Sequence, residues 1–89
     1  MLFLLTNHTK RTLTAAQYAD LAVLARKFYA TVPEGVTIRG EWAAIDGSRN
    51  YTLMEAPDLE AVQRIQAPFV PYVDMEIVPV QAFSGWTAS

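Results

Sequence analysis

The chain has no cysteine and one histidine, His8. Disulfide staples, thiolate nucleophiles and thiolate metal sites are therefore excluded together, and one imidazole cannot build a histidine-rich metal centre within a chain. No metal and no cofactor is expected. No apolar stretch approaches the roughly 20 residues of a membrane span. The start Met1-Leu2-Phe3-Leu4-Leu5 is too short for a signal core and has no basic segment before it. No basic run stands out in a chain of net charge −2, so neither nucleic acid nor membrane is an expected partner, and the expected address is cytoplasmic. Phosphate loops, dinucleotide fingerprints and nucleophilic triads are missing too. Charge itself is scarce: 18% of residues are charged against 52% hydrophobic, more apolar matter than a small monomer readily hides. With 89 residues there is room for one core. Domains of this size bury little of their surface and often need disulfides, metals or a partner subunit. Only the partner subunit is left.

What is present reads as alternating strands and helices. Residues 2–8 (LFLLTNH) form a buried strand, with Phe3 and Leu5 on one face and Leu2 and Leu4 on the other. Thr14-Ala15-Ala16-Gln17 is a capping box, in which the Thr14 hydroxyl accepts from the Gln17 N–H and the Gln17 side chain reaches back. Tyr18, Leu21, Ala22, Ala25, Phe28 and Tyr29 then recur at helical spacing, until Pro33 and Gly35 end the helix. Residues 36–45 form a second strand. Strict alternation puts Val36, Ile38, Gly40 and Trp42 on one face and Thr37, Arg39 and Glu41 on the other, where Arg39 and Glu41 are spaced for an ion pair. Asp46-Gly47-Ser48 turns the chain into a third strand, residues 50–55. Asp58 caps a second helix with Leu59, Val62, Ile65 and Phe69 on its apolar side, and Pro68 and Pro71 terminate it. Residues 72–81 are the last strand; Pro79 cannot donate to a ladder, which puts this strand at an edge or a bulge. Residues 1–81 make one domain. Residues 82–89 form a tail in which Phe83 and Trp86 are candidates to grip a partner; the competing reading is a disordered tail.

The order β-α-β-β-α-β predicts an α+β domain of the ferredoxin-like type, a four-stranded antiparallel sheet with two helices on one face. The other face keeps leucine, valine and methionine side chains, and covering it with a second copy, sheet to sheet, gives a homodimer.

Several stretches carry a resemblance: Met1-Leu2-Phe3 running to His8, the turn Pro33-Glu34-Gly35-Val36, the Trp42 strand, Tyr51-Thr52-Leu53-Met54-Glu55-Ala56, and Val73 to Val80. Together they resemble a bacterial family of small proteins of unknown function within the dimeric α+β barrel superfamily. The resemblance implies the fold and a dimer. It does not imply one activity, because that superfamily includes cofactor-free monooxygenases, muconolactone-type isomerases, polyketide cyclases, haem-degrading enzymes and ligand sensors. The haem-degrading branch uses a helix-borne histidine and an asparagine on the first strand. Asn7 is present here, but the second helix has no histidine.

His8 is the expected catalytic residue: it titrates near neutrality, and the end of the first strand is where a cavity between sheet and helices opens. The bland alternative is a strand-end histidine bonded to backbone. Asn7, Trp42, Tyr51, Glu55 and Tyr72 are the expected substrate-binding residues. Each has a structural alternative: core aromatics with the tyrosine hydroxyl at the rim, and, for Glu55, pairing with an arginine such as Arg39. The expected ligand is small and apolar or aromatic. A cofactor-independent enzyme of cyclase, isomerase or monooxygenase type and a non-catalytic binding or accessory protein both fit.

Overall fold

Hydrophobic alternation and caps set the elements. A computed structural model describes residues 1–83, so Trp86 and most of the expected tail lie outside the described residues. The elements are β1 (Leu2–Thr9), α1 (Ala15–Ala30), β2 (Thr37–Ala43), β3 (Asn50–Glu55), α2 (Leu59–Gln66), a 3-10 turn (Ala67–Phe69) and β4 (Val73–Val80). The four strands pair antiparallel in the order β2-β3-β1-β4, the ferredoxin-like arrangement expected from the sequence. β4 is an edge strand, which gives Pro79 a place where no second ladder needs its missing N–H.

The capping box at Thr14 is complete in both directions, at 3.2 Å from the Gln17 N–H and 2.8 Å to the Gln17 Oε1. Asp58 caps α2 through a 2.8 Å bond from the Ala61 N–H. The hairpin between β2 and β3 closes through Gly47, whose φ of 74° suits glycine, and through an Asp46 carboxylate that accepts from the Ser48 N–H. Hydrogen bonds from Ser48, first from its side chain and then from this N–H, hold the Asp46 carboxyl below its ordinary pKa.

One face of the sheet meets the helices. Phe3, Leu5, Met54, Ala56 and Val62 are fully enclosed there, with Phe28, Ile65 and Ile77 packed around them. Burying each of the four larger side chains among them contributes roughly 1.5–3 kcal/mol. The core is strong at the β1–β3 centre and thin under α1, which has no fully buried residue. A space therefore remains between α1 and the sheet.

Among the described residues, no helix covers the opposite face. Cross-strand pairing arranges it in rows: Leu2 between Glu55 and Val80, Leu4 between Leu53 and Val78, Thr6 between Tyr51 and Glu76, with Trp42 beside Tyr51. Strict alternation fails in β2. A register shift between Ile38 and Gly40 puts Ile38 opposite inward-facing Met54, and then Glu41 opposite inward-facing Thr52. Ile38 and Trp42 consequently occupy different faces, which corrects the simple alternation read from the sequence.

Candidate functional site

The space beneath α1 is a cavity of about 230 Å³. β1 and β3 supply its floor, because odd residues of β1 and even residues of β3 point toward the helices. Asn7 and Asn50 face each other across the ladder, and Thr52 and Met54 follow along β3. Leu21, Ala25, Phe28 and Tyr29 of α1, Ile65 of α2 and Phe69 of the 3-10 turn close it from above. Among the described residues, no charged side chain lines it.

Two polar features stand out. The Oδ1 atom of Asn7 is buried and has no hydrogen-bond partner among the described residues. The Tyr29 hydroxyl donates to the Glu41 carboxylate, which the β2 register shift has carried to this face. Partial burial, then the hydrogen bond and charge of Glu41, push the Tyr29 pKa up to about 12, while a bond with Thr52 opposes the shift. Tyr29 is thus a neutral phenol at neutral pH, with its proton committed to Glu41. Phe28 packs edge-on against the Tyr29 ring at 5.1 Å. Phe28, Ile65 and Phe69 also border a second groove, of about 520 Å³, that opens between the two helices.

A family model for a domain of unknown function, DUF3303, matches residues 1–88. The chain belongs to the DUF3303 family. No curated protein matches it. Among solved structures, the DUF3303 chain is similar to a muconolactone isomerase, with a TM-score of 0.64, 21% identity, and coverage of 100% of this chain and 97% of that one. It is also similar to a dabb family protein of ferredoxin-like fold from Mesorhizobium loti, with a TM-score of 0.51, 18% identity, and coverage of 92% and 98%. At these identities the likeness is one of fold.

The expected site residues divide between the two faces of the DUF3303 sheet. Asn7 lines the cavity. His8 does not, and its expected position at the cavity mouth is corrected: it neighbours Asn7 in sequence and so points to the opposite face, opposite Asp74. It borders a wider hollow, with Lys10, Arg49 and Asp74. Trp42, Tyr51 and Glu55 also lie on the open face, through the same parity. Glu55 is bonded to Arg39 at 2.6 Å, so the expected same-strand pairing of Arg39 with Glu41 is replaced by a cross-strand one. Both partners are half-exposed, and such pairs contribute about 0–1 kcal/mol. Tyr72 precedes β4 and offers its carbonyl to the Lys10 N–H at 2.9 Å; it does not line the cavity.

Asn50, Thr52 and the Tyr29–Glu41 pair were not singled out from the sequence as a group. A signal for the first two was present: with Asn7, they are polar residues at inward positions of strands whose other inward residues are Phe3, Leu5 and Met54. Glu41 carried no such signal, because strict alternation assigns it to the wrong face.

Proposed function

We propose that this protein binds a small, largely apolar or aromatic molecule in the cavity between sheet and helices. The observation that carries the reading is the cavity itself, about 230 Å³ between sheet and helices, in which Asn7, Asn50 and Thr52 stand among apolar side chains of α1, α2 and β3. Apolar walls with a few placed polar groups are the usual make-up of a small-molecule site. A cavity of about 150 Å³ holds benzene, so one of about 230 Å³ suits a substituted single ring.

The likeness of fold to a muconolactone isomerase supports a cofactor-independent catalyst of isomerase, cyclase or monooxygenase type. The second reading, a non-catalytic binding or accessory protein, is favoured by the cavity wall, where Tyr29 is the only titratable side chain. The functional unit in either case is a homodimer joined through the open sheet face. Its cytoplasmic address rests on composition.

Titration of ¹⁵N-labelled protein with single-ring compounds tests the site. Amides near Asn7, Ala25 and Thr52 are expected to shift. Ala25→Phe, which fills the space from α1, abolishes the shifts while the rest of the spectrum stays dispersed. Absence of any ligand-induced shift in the unaltered protein sinks the reading.

A further inference from the structure

We infer that the cavity and the groove between the helices are two compartments of one site, parted by Phe28 and Phe69, and that its ligand is a single ring carrying an unbranched apolar chain. The ring lies in the cavity and the chain lies in the groove. The inference rests on the cavity reading above and names the class of molecule that the cavity takes.

Three observations converge on it. The two spaces adjoin: Phe28, Ile65 and Phe69 belong to the wall of both, so one layer of side chains separates about 230 Å³ from about 520 Å³. A space of about 150 Å³ takes benzene. The cavity alone therefore has room for the ring and a short substituent, and a longer chain has the groove as its way out. The two spaces also differ in chemistry as such a ligand requires. Uncharged hydrogen-bonding side chains gather on the cavity side, in Asn7, Asn50, Thr52 and Gln66. On the groove side stand Leu24, Val36, Ala61 and three prolines, with one threonine among them; its charged side chains, Lys27, Glu34 and Arg64, are exposed. An apolar chain gains by leaving water for such a trough. Finally, the partition can yield. Phe28 stands on α1 and Phe69 on the 3-10 turn, and neither element has a fully buried residue to fix it. Both rings are only partly buried, which leaves them room to change rotamer and join the two spaces.

Toluene, 4-butylphenol and 4-hexylphenol, each titrated into ¹⁵N-labelled protein, test the inference. Toluene reports on the cavity alone. 4-Hexylphenol is expected to bind about 10-fold tighter than 4-butylphenol, since each buried methylene contributes roughly 3- to 4-fold. Amides of Val36 and Ala61 should shift with 4-hexylphenol and stay in place with toluene. Ala61→Leu narrows the groove from α2, and Leu24→Trp narrows it from α1. Each should remove the gain from the longer chain and leave toluene affinity unchanged, which shows that the cavity persists. Because the two substitutions lie on separate helices, either one that folds completes the test. 4-Hexylphenol binding no tighter than 4-butylphenol, or a gain that survives in a narrowed variant that still binds toluene, overturns the inference while the cavity reading stands. If toluene does not bind to the native chain, the cavity reading falls and takes the inference with it.

Discussion

At the scale of single residues, Tyr29 and Gly40 make the sharpest statements. The Tyr29 pKa rises from 10.0 to about 12 on folding, through partial burial first and Glu41 second. Folding therefore favours the protonated phenol. This contribution to stability is complete below pH 10 and is lost as pH rises through about 12. Urea midpoints measured between about pH 9 and about pH 12 should fall more steeply for the native chain than for Tyr29→Phe; parallel curves would refute the assignment. Gly40 is a matter of space. A Cβ built there would lie 2.6 Å from the Trp42 indole, which folds back over the glycine. Gly40→Ala should drive the exposed indole outward at little cost in stability, because the ring's far end can swing into solvent. Tryptophan fluorescence in a Trp86→Phe background should shift to longer wavelength; an unchanged spectrum would mean that the ring does not rest on Gly40. Neither residue pair was legible in the sequence. Tyr29 read as an aromatic of the α1 stripe and, with Tyr18, Tyr51 and Tyr72, as a tyrosine whose hydroxyl could act in a cavity, but without Glu41 as its partner; the Gly40–Trp42 contact was visible only as two residues sharing a strand face.

At the scale of elements, what was legible is what is local. Thr14 with Gln17, Asp58 before Leu59, and Gly47 after Asp46 act within a few residues of themselves, and all three lie where the sequence placed them. The register shift in β2 was not legible, because it is fixed by which residues of β3 it pairs with, and those are ten or more positions away. The face occupied by Glu41, and with it half of the candidate site, was hidden for the same reason. Asn7 was legible because β1 alternates without interruption; the misplacement of His8 followed from treating a strand end as one location instead of two faces. The caps also differ in consequence. α2 has eight residues and a single buried anchor, Val62, whereas α1 has sixteen. Asp58→Ala should cost about 1 kcal/mol, or roughly 4–8 °C in melting temperature for a domain of this size. It should also loosen Ile65 and Phe69 on the cavity wall, lowering toluene affinity. Thr14→Ala should cost a similar free energy without the effect on affinity, since the first turn of α1 does not line the cavity. Equal loss of affinity in both variants would count against α2 as the positioning element.

At the scale of the whole molecule, the proposed ligand site and the proposed dimer contact lie on opposite faces of the sheet, and this makes them separable by mutation. The open face presents Leu4 at the centre of a row with Leu53 and Val78, and Trp42 and Val78 lie exposed upon it. Four strands about 4.8 Å apart and up to eight residues long give that face on the order of 500 Å². A stable interface needs about 800 Å² per partner. The side chains standing on that footprint present more accessible surface than its projected area, so the face is large enough to anchor the proposed dimer. Composition pointed to a second copy, through the apolar excess and the lack of cysteine; the open face is where the proposed dimer would pack. Light scattering should give twice the chain mass of 9.9 kDa. Leu4→Lys puts a charge at the centre of the face, where an unpaired buried cation is not tolerated, and should yield the single-chain mass with reduced stability. Ring binding should survive in that monomer, because Leu4 and Asn7 point to opposite faces of β1. A native chain that runs as a monomer at micromolar concentration, or a Leu4→Lys variant that stays dimeric, would remove the open face as the interface. Loss of ring binding together with the dimer would show instead that the cavity needs the partner to hold its shape.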